Sequence, residues 1–173
     1  TPTQAARLRA GITAGDDTDA FAVTASDGIA EAATVVTVGI DPVQAAVTET
    51  VALGDDPQVV AVSPDGTRIY VTTRGDDTVT VIDTATNTTV GAPIPVGVGP
   101  IGVAVSPDGS RAYVVNRGDD TVTVIDGATN AVVGTPIPVG AGAWGVAVNP
   151  ATNRVYVTNL DGNSVTVIDG ARE

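Results

Sequence analysis

The sequence predicts an all-β protein built from repeated four-stranded antiparallel units, and three observations support this. β-Branched residues favour strands. The 20 Gly and 11 Pro indicate many turns. The stretch SPDG at 63–66 recurs 43 residues later at 106–109, and the NP pair at 149–150 stands a further 43 residues on. A fixed period of this length is typical of stacked copies of one supersecondary unit.

The repeat extends well beyond these turns. Between residues 63–83 and 106–126, 17 of 21 positions are identical. The same 43-residue spacing relates three tyrosines and three aspartates, namely Tyr70, Tyr113, Tyr156, Asp83, Asp126 and Asp169. Identity at this level indicates that each copy folds in the same way, with the tyrosines in equivalent core positions.

The first complete copy divides into four short strands. Strand A covers 58–62 and ends at the SPDG sequence, which suits a type I turn. Strand B covers 68–73, and strand C covers 78–83 with alternating Thr and Val, the period of a strand. Strand D covers 88–96, and because Pro93 and Pro95 remove two ladder donors it must lie at an edge.

A four-stranded antiparallel unit of this length with a proline-bearing outer edge predicts a β-propeller blade. The alternative architecture is a β-sandwich of short strands. A sandwich does not repeat its own sequence at a fixed four-strand period, so the propeller is the better interpretation.

The motifs YVT at 70–72, YVVN at 113–116 and YVTN at 156–159 each lead into a strand of the TVTVID type. Over about residues 45–171 the chain resembles the YVTN β-propeller repeats of bacterial and archaeal surface proteins. The resemblance implies an extracellular or cell-surface location and no known catalysis. It implies no particular ligand.

Stepping the period back by 43 residues predicts one more D strand at 45–53, so residues 45–173 give the order D-ABCD-ABCD-ABC. Three blades do not close a ring, since propellers need about four to eight. Two interpretations remain open. The chain is a piece of a longer repeat array, or it forms a homodimer that completes a six-bladed ring, in which each copy lends its 45–53 strand to the other.

Residues 1–44 are predicted to form a separate region, a terminal hairpin with strands at 21–26 and 33–40 followed by a linker. The stretch TDAFAVTASDG at 18–28 resembles the last hairpin of bacterial cadherin-like (Ig-like) repeats. Asp16, Asp17 and Asp19 form an acidic cluster there, and the resemblance raises calcium as a weak alternative to a chain without cofactors.

The net charge of −12 excludes some classes of partner. An acidic surface repels phosphate groups, so we expect no nucleic-acid partner. No apolar run of 18 residues is present, so we expect no membrane insertion. All eight basic residues are Arg, and the absence of Lys is typical of a high-GC organism such as an actinobacterium.

One face of the propeller is the candidate ligand-binding face, because it carries the B–C turns and the D–A connections. Its candidate residues are Arg74, Asp76, Asp77, Arg117, Asp119, Asp120 and Trp144. The two RGDD turns suggest an adhesion motif or a divalent-cation site, but the third copy reads LDGN at 160–163 and keeps only turn chemistry. Ordinary hairpin turns are therefore the preferred interpretation. Trp144 either packs between blades or offers a stacking platform.

The residue types that the chain lacks also bear on its predicted function. The chain has no His and no Cys, so it lacks the usual general base and the usual strong nucleophile. We therefore predict that the chain is not an enzyme, with no catalytic residue and no metal site. The predicted function is a non-catalytic surface module that binds a protein or glycan partner. The alternatives are a structural spacer and a calcium-assisted propeller lyase or lactonase.

Overall fold

The computed structural model of the chain describes residues 19–25, 34–40 and 47–170. All regular secondary structure in these ranges is β-strand, as the sequence predicts. Within them, no helix has the length and apolar character needed to cross a bilayer. The chain divides into two compact units, Thr1–Thr48 and Glu49–Glu173.

The first unit contains a two-stranded antiparallel sheet. Strand β1, Asp19–Ala25, pairs with β2, Thr34–Ile40, in a register that places Asp19 opposite Ile40. These two strands overlap the predicted ones at 21–26 and 33–40. Asp16 and Asp17 of the predicted acidic cluster lie outside the described residues, as does the predicted linker at 41–42.

The second unit consists of three antiparallel sheets, which are the predicted blades. Each sheet runs outward from an inner strand in sequence order. Blade 1 contains β3 Pro57–Val62, β4 Arg68–Thr73, β5 Thr78–Asp83, β6 Thr88–Thr89 and β7 Ile94–Pro95. Blade 2 contains β8 Pro100–Val105, β9 Arg111–Asn116, β10 Thr121–Asp126 and β11 Val132–Pro138. Blade 3 contains β12 Ala143–Val148, β13 Arg154–Asn159 and β14 Ser164–Asp169.

The outer strand of blade 1 is broken in two. Strands β6 and β7 both pair with β5, and the chain between them passes through Gly91 at φ +70°. The corresponding β11 of blade 2 is continuous but shifts register between Val122 and Val124 of its neighbour. Both outer strands carry prolines and pair on one side only, which confirms the predicted edge position.

The predicted strand at 45–53 is not formed over its described part, residues 47–53. A D strand is held only by the ladder of a neighbouring C strand, and no such neighbour lies beside this segment in blade 1. Blade 3 shows the reverse situation, since β14 has no outer neighbour within the described residues. The C strand therefore pairs with an outer strand in blades 1 and 2, whereas in blade 3 its outer edge is unpaired within the described residues.

Two apolar cores lie between the blades. The first joins Tyr70, Val79, Val81 and Ile94 of blade 1 to Val103, Ala112, Val114 and Ile125 of blade 2. The second joins Ile101, Tyr113, Val115, Val122 and Val124 of blade 2 to Ala143, Val155, Val157 and Ile168 of blade 3. Tyr70 and Tyr113 are buried as predicted, whereas Tyr156 is 36% exposed because no further sheet covers its face in the described structure.

Candidate functional site

The inner strands β3, β8 and β12 lie side by side and form the wall of the propeller channel. A groove of about 210 Å³ runs across them near the candidate face. It is lined by Gln58, Val59, Ile101, Gly102, Val103, Trp144, Gly145 and Val146. The lining is mainly apolar, and it contains one of the predicted site residues, Trp144.

A β-bulge at the start of each inner strand shapes this groove. The pairing register shifts between Pro57 and Val60 in β3, and equivalent shifts occur in β8 and β12. In blade 1 the Thr72 hydroxyl accepts a hydrogen bond from Val59 N at 3.1 Å and lies 3.0 Å from the Ile101 carbonyl oxygen, to which it donates. One buried hydroxyl thus joins the bulge of blade 1 to the inner strand of blade 2.

Blades 2 and 3 approach each other closely at the groove. A Cβ atom on Gly102 would lie 2.8 Å from the Trp144 carbonyl oxygen and 3.3 Å from Val146 Cγ1. A backbone oxygen cannot move aside as a flexible side chain can, so a glycine is required at position 102. This close approach sets the position of Trp144 at the rim of the groove.

Trp144 and Arg117 form a stacked pair at that rim. The Arg117 guanidinium carbon lies 4.6 Å from the centre of the indole ring, within the range of a cation–π interaction. Trp144 is nevertheless 50% exposed. The indole therefore remains available for stacking, with a fixed positive charge beside it.

The predicted carboxylates of the two RGDD turns are occupied by backbone hydrogen bonds. Asp76 Oδ2 accepts from Asp55 N at 2.8 Å, and Asp77 Oδ1 accepts from Gly99 N at 2.7 Å. The first aspartate therefore holds the connection into its own blade. The second holds the connection into the next blade.

Blade 2 repeats this arrangement. Asp119 Oδ2 accepts from Val98 N at 3.2 Å, and Asp120 Oδ1 accepts from Gly142 N and Ala143 N at 2.8 and 3.0 Å. Each RGDD turn thus fastens two successive connections to the same face. This structural use agrees with the interpretation of these segments as hairpin turns.

In these turns aspartate, not glycine, adopts the left-handed backbone conformation. The residues with positive φ are Asp77 and Asp120, at +54° and +52°. The glycines instead permit close approach, since a Cβ on Gly118 would lie 2.9 Å from the Val98 carbonyl oxygen. Because Gly adopts left-handed backbone more readily than Asp, the sequence alone does not identify the aspartates as the residues with positive φ.

The remaining predicted site residue, Arg74, forms an exposed ion pair with Asp56 at 3.4 Å. Exposed pairs of this kind contribute little to stability because solvent screens both charges. Within residues 47–170, no three His, Cys, Asp or Glu side chains are grouped closely enough to hold a metal ion. A calcium site remains a prediction without a described ligand set.

A second pocket, of about 280 Å³, lies on the opposite face between blades 1 and 2, and the sequence analysis did not identify it. Its lining includes Asp65, Asp108 and Arg68. Hydrogen bonds from the Ser63 hydroxyl and from Thr67 lower the pKa of Asp65 to about 2, and those from Ser106 and Ser110 lower the pKa of Asp108 to about 2. Both carboxylates are therefore committed to their own turns.

The fold and the channel wall define a β-propeller, and comparison with known proteins identifies its family. Residues 19–129, more than half of the chain, match the family described as "Lactonase, 7-bladed beta-propeller". The chain belongs to this family. No curated protein matches the sequence.

Among solved structures, the chain is similar to one described as Kuenenia stuttgartiensis hydrazine synthase. The TM-score is 0.65 and the sequence identity is 30%. The match covers 72% of this chain but 36% of the solved chain. The present chain therefore spans about a third of the length of that structure.

These matches correct one prediction. The prediction that the chain is not an enzyme is wrong, because the family is one of lactonases and the solved relative is named as a synthase. The error came from the absence of His and Cys. Hydrolysis of an ester by water needs a base and a positive group near the developing oxyanion, and carboxylates and guanidinium groups can fill these roles.

Proposed function

We propose that the three blades form part of the substrate-binding channel wall of a lactone-hydrolysing propeller. The observation that carries this proposal is the exposed Trp144 indole, stacked with Arg117 at the rim of an apolar channel groove. Membership of a lactonase family supplies the reaction class.

The groove suits a small cyclic ester. Its volume of about 210 Å³ is below the range of about 300–1,000 Å³ typical of sites for drug-sized ligands, so it fits a single small ring. The side chains of Val59, Ile101 and Val146 offer apolar contact to the carbon skeleton. The indole of Trp144 offers a flat surface to one face of the ring.

Arg117 supplies the electrostatic component. In lactone hydrolysis, water adds to the carbonyl carbon, negative charge develops on the carbonyl oxygen, and the ring C–O bond breaks to give a hydroxy acid. The Arg117 guanidinium group, held at the rim of the groove, stabilises that developing charge more than it stabilises the neutral lactone. Stacking on Trp144 fixes the guanidinium in advance.

The proposal is tested by measuring acid release from five- and six-membered lactones in weakly buffered solution. We expect Trp144→Ala to raise KM by about tenfold, which corresponds to about 1.4 kcal/mol of lost ring contact. Arg117→Ala should lower kcat. Val132→Ala, on the exposed outer strand β11, is the matched control and should leave both constants unchanged. Absence of lactone hydrolysis, or unaltered constants in Trp144→Ala, contradicts the proposal.

A second function, glycan binding at the cell surface, is favoured by the same indole. Exposed aromatic rings stack against the apolar faces of sugars, and Arg117 beside the ring would favour an acidic sugar. A glycan array separates the two functions. Retention of acidic glycans by the parent chain and loss in Trp144→Ala would favour this alternative, whereas an array without signal would remove it.

A further inference from the structure

One position of the repeat supplies the channel groove with three different side chains. Gln58, Ile101 and Trp144 are each the second residue of the inner strand of their blade. Because the blades stack in sequence order, the order along the groove is an amide, an aliphatic group and an indole. The two ends of the groove therefore differ, and its only side-chain amide lies at the end opposite Trp144.

The Gln58 amide is oriented by a carboxylate. Its Nε2 donates a hydrogen bond to Asp56 Oδ1 at 2.5 Å, and Asp56 Oδ2 forms the ion pair with Arg74. A carboxylate only accepts hydrogen bonds, so the amide nitrogen is turned towards Asp56 and the amide oxygen is turned away from it. Within residues 47–170, no group donates a hydrogen bond to Gln58 Oε1. Gln58 thus offers a ligand one hydrogen-bond acceptor.

The middle of the groove is apolar, and the backbone beside it is already paired. Ile101 and Val103 are each 6% exposed, and Val59 is 41% exposed. The Thr72 hydroxyl accepts a hydrogen bond from Val59 N and donates one to the Ile101 carbonyl oxygen. A ligand hydroxyl placed here would lose its hydrogen bonds to water without replacement. An aliphatic group would instead gain apolar contact.

The apolar stretch is longer than a lactone ring. Cα atoms of β3 and β8, and of β8 and β12, approach within 8 Å of each other, so β3 and β12 are separated by two such steps. A five- or six-membered ring stacked on Trp144 therefore covers only the blade 3 end of the groove. A short aliphatic chain on that ring would extend over Ile101 towards Gln58.

From these observations we propose that the groove selects lactones that carry a short aliphatic side chain, and that Gln58 recognises a hydroxyl group at the far end of that chain. The inference rests on the proposed function for the position of the ring on Trp144, and it adds the chemical class of the substituent. A lactone whose side chain is hydroxylated at most of its carbons is disfavoured, because the middle of the groove offers those hydroxyls no partners.

The first test measures binding separately from hydrolysis, with cyclopentanones as probes. These compounds keep the ring carbonyl but have no ester bond to break. Trp144 is the only tryptophan of the chain, so its fluorescence reports occupancy of the groove. We expect the affinity of 2-alkylcyclopentanones to rise about fourfold per added methylene group until the chain spans the groove. An affinity that does not depend on chain length, or that is higher for a polyhydroxylated chain of equal length, overturns the proposal.

Gln58→Leu tests the contact to the terminal hydroxyl, since leucine fills similar space without an acceptor. We expect this variant to bind a cyclopentanone with a hydroxyl-terminated chain about fivefold more weakly than the parent chain does. Its affinity for the methyl-terminated chain of the same length should not fall, and this ligand is the control for a general disturbance of the groove. Equal weakening for both ligands, or no weakening for either, overturns the proposal.

Val59→Ser tests the apolar middle of the groove. The Val59 side chain is partly exposed, so the substitution leaves the cores between the blades intact. We expect about threefold weaker binding of the alkylcyclopentanone and unchanged binding of cyclopentanone itself, which reaches only Trp144. Equal changes for the two ligands contradict the placement of the chain.

Hydrolysis of the matching alkyl lactones separates this inference from the proposed reaction. Chain-length-dependent binding of the cyclopentanones without acid release from any lactone would support the selectivity of the groove and contradict the reaction. Acid release with a kcat/KM that is independent of chain length would support the reaction and overturn the selectivity.

Discussion

At the scale of single residues, aspartate side chains stabilise many of the turns in this acidic chain by accepting hydrogen bonds. Asp83 Oδ1 accepts hydrogen bonds from Ala85 N and Thr86 N, and Asp126 Oδ1 makes the same bonds to Ala128 and Thr129. Asp65 and Asp108 hold the A–B turns through Ser63 and Ser106. Negative charge is thus concentrated in turns, where backbone N–H groups and hydroxyls stabilise it.

These turns make stability depend on pH in acid. Because the folded state lowers the pKa of Asp65 and Asp108 from 3.8 to about 2, their contribution is present above pH 3.8 and is lost as pH falls towards 2. We expect urea midpoints to fall between pH 4 and pH 2. In the double variant Asp65→Asn and Asp108→Asn the fall should be smaller, although Asp83 and Asp126 continue to contribute to it. An equal fall in both proteins would show that the hydrogen bonds to these two carboxylates do not matter.

At the scale of strands, the Thr72 hydroxyl holds the bulge of the inner strand β3. The equivalent positions of the other two blades show what this hydroxyl contributes. Thr72 is buried and bonded to Val59 and Ile101, whereas its counterpart Thr158 makes the same bond to Gly145 N at an exposed position. Blade 2 has Val115 at this position. Valine therefore fits the site in shape.

We expect Thr72→Val to lower the free energy of unfolding by about 1–3 kcal/mol, because it leaves the buried carbonyl oxygen of Ile101 without the hydroxyl that donates to it. Thr158→Val is the matched control and should cost less, since water can replace the hydroxyl there. Urea denaturation of the two variants measures the difference. Equal losses in both would mean that burial of this hydroxyl is not what holds the bulge.

Strand prediction succeeded where the pattern is local and failed where it depends on a neighbour. The predicted bounds of strands B and C, 68–73 and 78–83, are those observed for β4 and β5. The predicted outer strand of blade 1 is limited to the two short strands β6 and β7, because Gly91 and the prolines interrupt its pairing with β5. The strand expected at 45–53 is not formed over its described part, 47–53, because no C strand lies beside that segment in blade 1.

At the scale of the whole molecule, the blade arrangement follows from repetition, whereas the site does not. Arg117 and Trp144 were both predicted on one face, but their stacking depends on how closely blade 3 approaches the B–C turn of blade 2. That distance is set by Gly102, which no repeat pattern distinguishes, since the other copies have Val59 and Gly145 there. The polar pocket was missed because it forms only where the turns of blade 1 meet those of blade 2.

The propeller arrangement depends most on the stacking of each blade against the next through its tyrosine. The most direct measurement is a nuclear Overhauser spectrum of methyl-labelled protein, which detects protons within about 5 Å of each other. The structure predicts cross-peaks from the Tyr113 ring to methyl groups of Val155 and Val157 in blade 3, and from the Tyr70 ring to Val114 in blade 2. Cross-peaks from each tyrosine only to its own sheet would contradict the stacked blades and with them the channel wall.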